Sequence, residues 1–190
     1  MSFIINRRAL LATAGFGIGG LLLPGGAAMA QALLGLTGFT HNVASGEPGP
    51  DSVLLWTRYV NPTGGPSKAR VEISESKDFA KIAGGGQMVT GPWRDHTVKI
   101  TVDNLAPGKW HWFRFIAPAG SMSPVGRTKT LPVGQAAKFN IAIFSCSNLG
   151  FGEFNAYGHA AARDDIDLVL HMGDYIYEYA RGGYDGGAKF

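Results

Sequence analysis

Of the 190 residues, 45% are hydrophobic and 16% charged, a balance that excludes a disordered or fibrous chain and fits one large or two small globular domains. The formal net charge is +3; two of the cations, Arg7 and Arg8, stand in a segment expected to be removed, so the rest is nearly neutral and gives no electrostatic case for nucleic-acid binding. The one cysteine, Cys146, excludes an internal disulfide.

Residues 1–30 read as an export signal. A short polar start ends in Asn6-Arg7-Arg8, an apolar region rich in Ala, Gly and Leu runs to Leu23, and Ala28-Met29-Ala30 supplies small residues for a signal peptidase. The paired arginines point to the twin-arginine export machinery, which carries proteins across already folded. The alternatives are an ordinary secretory signal and a retained anchor helix. The apolar run is short for a bilayer span of roughly 20 residues and contains four glycines, so no stable membrane span is expected after cleavage. The mature chain is expected to be periplasmic or extracellular. Folding before export would remove the need for disulfide staples and allow a metal to be inserted in the cytoplasm. Residues 31–38 form a small-residue linker.

From Phe39 to residue 133 the pattern is strand, turn, strand. Residues 51–60, DSVLLWTRYV, are dense in strand formers. Val71 and Ile73 alternate with polar neighbours, as do Val98, Ile100 and Val102. Turn signals fall at 48–50, 62–66, 84–86, 91–92 and 107–108, where Gly and Pro cluster. About seven short strands over this length predict an all-β antiparallel sandwich of the immunoglobulin or fibronectin-III kind. The strand from Lys109 to Phe115 is aromatic on both faces, with Trp110 and Trp112 opposite His111, Phe113 and Phe115. One face is expected to serve the core; the other either covers a neighbouring domain or is simply buried as well.

After Leu131-Pro132 the character changes. Phe139 to Ser147 and Ile166 to Asp174 are continuous apolar runs, and between them Phe154, Tyr157 and Ala161 have helical spacing. Strand, helix and strand predict a right-handed crossover with parallel strands buried on both faces, the first β-α-β unit of an α/β domain over residues 134–190. Two strands and one helix are too few to stand alone, so the chain is expected to be the front portion of a larger protein.

In a parallel sheet, ligands sit beyond the carboxyl ends of the strands. Cys146 is expected at the end of the first and Asp174 at the end of the second. At a strand tip the Asp174 charge can meet a cation instead of being buried alone. Gly173 lets the chain turn, and Tyr177 could bring a phenol to the same ion. Thiolate, carboxylate and phenolate together suit a highly charged ion such as ferric iron better than a lone magnesium. The alternatives are a small buried hydrophobe for Cys146, a turn or helix cap for Asp174 and core packing for Tyr177. His171 reads as a core histidine or one that supports a ligand, His159 as a surface or packing residue, Glu178 as a group orienting a ligand, and Arg163-Asp164-Asp165 as a solvated helix end.

The segment FSCSNLGFGEFNAYGHAAARDDIDLVLHMGDYIYEY, with NVASGEPGPDSVLLWTRY, LAPGKWHWFRF and SPVGRTKTLP before it, resembles the alkaline phosphatase D family of secreted metallophosphoesterases over residues 39 to 184. The resemblance implies a β domain followed by a metallophosphoesterase domain, with iron held by Cys146, Asp174 and Tyr177 and the aspartate bridging to calcium. It implies hydrolysis of phosphate-ester substrates through metal-activated water. It places the family's remaining ligands and substrate contacts beyond Phe190, so no catalytic residue is assigned in this chain, which is expected to be inactive by itself. Two positions depart from the family pattern. Asn42 stands where glycine is expected, and asparagine tolerates a left-handed backbone better than most residues; His111 stands where an aromatic, usually tyrosine, is expected. The reading from a different class is an exported, non-catalytic sandwich that serves as an interaction module with a vestigial tail.

Overall fold

The computed structural model describes residues 37–148 and 154–177. The export signal, most of the linker, Glu178 and the start of the predicted helix lie outside the described residues. Two compact units result, one ending at Val133 and the other beginning at Gly134.

Among the described residues the first unit holds seven strands: β1 (Gly38–Gly46), β2 (Val53–Val60), β3 (Ser67–Ser74), β4 (Ile82–Thr90), β5 (Thr97–Val102), β6 (Trp110–Ile116) and β7 (Gly126–Lys129). They pair antiparallel into a three-stranded sheet, β1-β2-β5, and a four-stranded sheet, β4-β3-β6-β7. Because side chains alternate along a strand, β2 sends Val53 and Leu55 inward, β3 sends Ala69, Val71 and Ile73, β5 sends Val98, Ile100 and Val102, and β6 sends Phe113 and Phe115. These residues form a single buried cluster. Each fully buried aliphatic or aromatic side chain contributes about 1.5–3 kcal/mol relative to exposure, which makes this cluster the main source of the unit's stability.

Three interior threonines satisfy their hydroxyls on backbone carbonyls: Thr57 donates to Asn42, Thr90 to Thr97 and Thr130 to Ala106, each at 2.7 Å. His111, wholly buried, lies 3.1 Å from the Lys109 carbonyl through Nδ1. A carbonyl can only accept, so the ring proton belongs on Nδ1, and Nε2 has no hydrogen-bond partner among the described residues. Burial therefore pushes this imidazole below its usual 6.5 and keeps it neutral.

Asn42 has a φ of +54° at the irregularity where the β1–β2 register shifts between Phe39 and Val43. The bulge needs a left-handed residue, and asparagine fills that need in place of glycine.

The Gly84–Gly85–Gly86 run, expected as a turn, lies inside β4. A Cβ on Gly84 would stand 2.9 Å from Val102 Cγ1, one on Gly86 2.7 Å from Ile100 Cγ2, and one on Gly85 2.4 Å from the Val71 carbonyl oxygen. The glycines mark close approach of β4 to β5 and β3, the second meaning of glycine in a strand.

The second aromatic face of β6 is roofed by cations of its own unit. Arg127 lies 4.4 Å and Lys129 5.1 Å from the Trp110 ring centroid, and Lys77 lies 5.8 Å from that of Trp112. Further along, Arg114 donates twice to Glu72 Oε2, at 3.1 and 3.0 Å, and stacks 4.2 Å over Phe79, while Arg70 reaches the other carboxylate oxygen.

In the second unit β8 (Ile141–Phe144) and β9 (Leu168–His171) pair parallel, Ile141 opposite Leu168 and Phe144 opposite His171. Helix α1 (Asn155–Ala161) lies between them in sequence. Phe154, assigned to the helix from spacing, precedes it with φ +53°; a left-handed residue cannot continue a right-handed helix. The strands, expected to be buried on both faces, leave Ile143 64% and Val169 56% exposed. The Arg163–Asp165 pair that follows the helix is exposed on both sides, in line with a solvated helix end.

Candidate metal centre

The parallel ladder does not stop at the last paired strand residues. Met172 N–H donates to Phe144 at 2.8 Å, Cys146 N–H to Gly173 at 3.2 Å and Ser147 N–H to Asp174 at 3.3 Å. These bonds carry both chains side by side past the sheet, so Cys146 stands two residues beyond β8 and Asp174 three beyond β9. Both residues adopt positive φ, +57° and +51°, with Gly173 at +129°. For a non-glycine residue that region is uncommon and costs energy. Here it occurs twice, on the two residues whose side chains meet.

They meet on one atom. Cys146 Sγ–H donates to Asp174 Oδ2 at 3.4 Å, and Tyr177 Oη–H donates to the same oxygen at 2.7 Å. The three side chains singled out from the sequence thus converge, with the carboxylate in the middle. The two donated bonds, Tyr177's first and Cys146's second, hold the Asp174 carboxyl below its usual 3.8. The same geometry pushes the Tyr177 phenol well above 10.0, chiefly through its bond to Asp174 and then through Cys146. Cys146 and Asp174 are exposed, so the site is open to an ion from solvent.

The donor set fits a cation. The positions now held by the thiol and phenol protons lie between three groups that are all anions once deprotonated, and a hard, highly charged ion can replace both protons at once. Among the described residues no group of three or more His, Cys, Asp or Glu side chains is placed to hold a metal; the trio reaches three donors only by counting a tyrosine.

A second set of side chains lies next to this trio. Tyr157, on α1, shares a short hydrogen bond with the Ser147 hydroxyl and lies 2.9 Å from His171 Nε2 through the same oxygen. Gly173 N–H approaches His171 Nδ1 at 3.4 Å. His171 packs edge-on against Tyr175, with ring centroids 4.9 Å apart, and Phe144 packs edge-on against Tyr157 at 4.8 Å. His171 is half-buried rather than a core histidine, and it contacts Tyr157, the Gly173 N–H and Tyr175. His159 is exposed on α1. The sequence reading missed Ser147 and took Tyr157 only as an apolar helix position. The available signal was a lone phenol in a helix otherwise of Ala, Gly, Asn and His, joined to two strands whose tips carry chemistry.

An antiparallel sandwich followed by a parallel strand pair with clustered anionic donors defines a two-part chain with a candidate metal site at a sheet edge. Comparison with known families matches residues 26–132 to the PhoD-like phosphatase N-terminal domain and residues 141–189 to PhoD-like phosphatase. The chain belongs to the PhoD-like phosphatase family. It is 40% identical over 155 residues to alkaline phosphatase D of Bacillus subtilis (strain 168), a match that takes in 77% of this chain and 26% of that protein. A solved structure of PhoD superposes with a TM-score of 0.68 at 38% identity, over 75% of this chain and 28% of that one. The chain thus spans about a quarter of the length of the relatives it matches.

Proposed function

We propose that Cys146, Asp174 and Tyr177 are this chain's share of a multinuclear metal centre that hydrolyses phosphate esters, with ferric iron on the three donors and calcium reached through Asp174. The observation that carries the reading is the convergence of a thiol and a phenol on one carboxylate oxygen, at the carboxyl ends of two parallel strands. Its chemical class follows from the similarity to a protein named for phosphatase activity.

Bound ions would supply Lewis-acid charge to phosphoryl oxygens and a hydroxide nucleophile at working pH. The part this chain plays is to hold three donors on a fixed edge. Asp174 sits at its centre, with its backbone left-handed next to Gly173 and its carboxylate accepting from both partners. Three donors are fewer than two ions need, so the chain by itself is proposed to bind metal without turnover.

Around this centre, residues 1–30 are read as a twin-arginine export signal, which would place the mature protein in the periplasm or outside the cell. Residues 39–133 are read as a fibronectin-III-like sandwich from their strand order, and residues 134–190 as the start of the catalytic domain. Asp174→Ala tests the central assignment. Iron bound per molecule, measured by elemental analysis of the purified chain, is expected to fall at least about tenfold, and phosphate-ester turnover in the complete protein is expected to be lost. Unchanged iron and full turnover would sink it.

A further inference from the structure

The two turns that carry Cys146 and Asp174 hold unfavourable backbone at exposed positions. Cys146 and Asp174 both have positive φ, uncommon for residues other than glycine, and both are exposed. Packing cannot hold such conformations there, so hydrogen bonds must. The backbone pairs between the two turns are long for N–H···O bonds, at 3.2 and 3.3 Å, and something else has to keep the turns in register.

We propose that the Tyr157 hydroxyl is a positioning group that ties the tips of β8 and β9 together and thereby sets the spacing of the Cys146 thiol and the Asp174 carboxylate. One oxygen of Tyr157 meets Ser147, the residue after Cys146, and His171, three residues before Asp174. Its bonds therefore span the two turns next to the donors without touching the donors themselves.

The direction of the bonds follows from the partners. Gly173 N–H can only donate, so His171 Nδ1 accepts and the ring proton lies on Nε2. Nε2–H then donates to the Tyr157 oxygen, and the Tyr157 O–H is left to donate to Ser147 Oγ. The result is one ordered chain from β9 through α1 to the tip of β8, with each link dependent on the next. The ring is fixed independently. Phe144 packs edge-on against it at 4.8 Å, and Phe154 lies 5.8 Å away. The hydroxyl can thus be removed without displacing the aromatic body.

The inference rests on the metal-centre reading for its consequence and is tested apart from it. In the full 190-residue chain, Tyr157→Phe removes the hydroxyl and keeps the ring, and Ser147→Ala removes the next link. Amide hydrogen exchange at Cys146 and Ser147 reads the tie with no metal present. Both variants are expected to speed exchange at these two amides about tenfold, a change of the size one net hydrogen bond gives. Exchange at Ala142 and Leu170, inside the strands, and the thermal midpoint should stay as in the parent chain. Ferric iron titration, followed by the visible charge-transfer absorption of iron bound to thiolate and phenolate, reads the consequence. Affinity is expected to fall about tenfold, within the range for groups that orient a ligand. The double variant should lose no more than the larger single loss, since the two residues act as links of one chain.

Parent-like exchange at Cys146 and Ser147 in Tyr157→Phe would overturn the tie, as would parent-like iron affinity in a variant whose parent binds iron. If the parent chain itself shows no iron absorption, the metal reading fails and exchange at the two amides alone decides the tie.

Discussion

The sandwich and the strand pair use opposite means to hold their shape. In the first unit four strands contribute a continuous buried cluster in which Leu55, Ala69, Ile73, Val98 and Phe115 have no exposed surface. In the second, α1 has no buried residue, and the described strand residues are half-buried or exposed. Order there comes from hydrogen bonds: Asn140 N–H donates to the Asp167 carboxylate at 2.7 Å, the ladder runs on past the strands, and Tyr157 links both tips. Burial gives stability without chemistry, and directed bonds place donors where solvent and ions can reach them. The residues with candidate chemistry lie in the unit whose described residues hold no fully buried side chain, in a chain that spans about a quarter of its relatives' length.

Variants in the two units should break this contrast if it is wrong. All four tryptophans lie before Val133, so their fluorescence reports the sandwich alone. The largest effect is expected from Phe113→Ala, which empties a fully enclosed site and should cost about 3–5 kcal/mol in urea unfolding followed by tryptophan emission. A loss under 1 kcal/mol would mean that the sandwich core is not the source of its stability.

The next effect is acid sensitivity confined to the sandwich. Burial pushes the His111 imidazole down, and among the described residues a second proton on Nε2 would find no acceptor. The unfolded chain takes a proton near 6.5, whereas the folded one resists it to lower pH. The unfolded state therefore gains as pH falls, so stability is complete above about 6.5, declines below it and levels off under the folded-state value. Urea midpoints between pH 8 and pH 5 should show the decline, and His111→Phe should flatten it. An unchanged slope in that variant would remove His111 as the cause.

The smallest effect is expected at Ile143, 64% exposed on β8. Ile143→Thr keeps the branched strand former and should change local stability by no more than about 0.5 kcal/mol, read by amide exchange at Ala142 and Leu170. A large loss would show that this face is covered and that the second unit relies on burial after all.

Legibility in the sequence followed the same division. Strands β3 and β5 were readable because each buries one face, and a buried face writes alternation into the chain; β2 was readable from its density of strand formers and β6 from its run of aromatics. Strands β8 and β9 were readable as continuous apolar runs, together with the helix between them. β4 was not, since its Gly84–Gly86 run has the composition of a turn and is a strand because it pairs with β3, with Ile100, Val102 and Val71 so close that only glycine fits. Partners on other strands decide such a segment, and no local pattern records them. The candidate donors Cys146, Asp174 and Tyr177 could be singled out because Cys146 and Asp174 end apolar strand runs, Tyr177 follows three residues on, and the family resemblance implies the same three. The Ser147, Tyr157 and His171 contacts join a strand tip, a helix and another strand. They became visible only once the crossover had brought 147, 157 and 171 together.

Cys146 is the chain's sole cysteine and is exposed. A disulfide at Cys146 must therefore reach a cysteine outside these 190 residues or capture a small external thiol, and in either case the sulfur is no longer free to serve as an anionic donor. Oxidation there would remove one of the three candidate donors and leave the sandwich, which holds no cysteine, at its full stability.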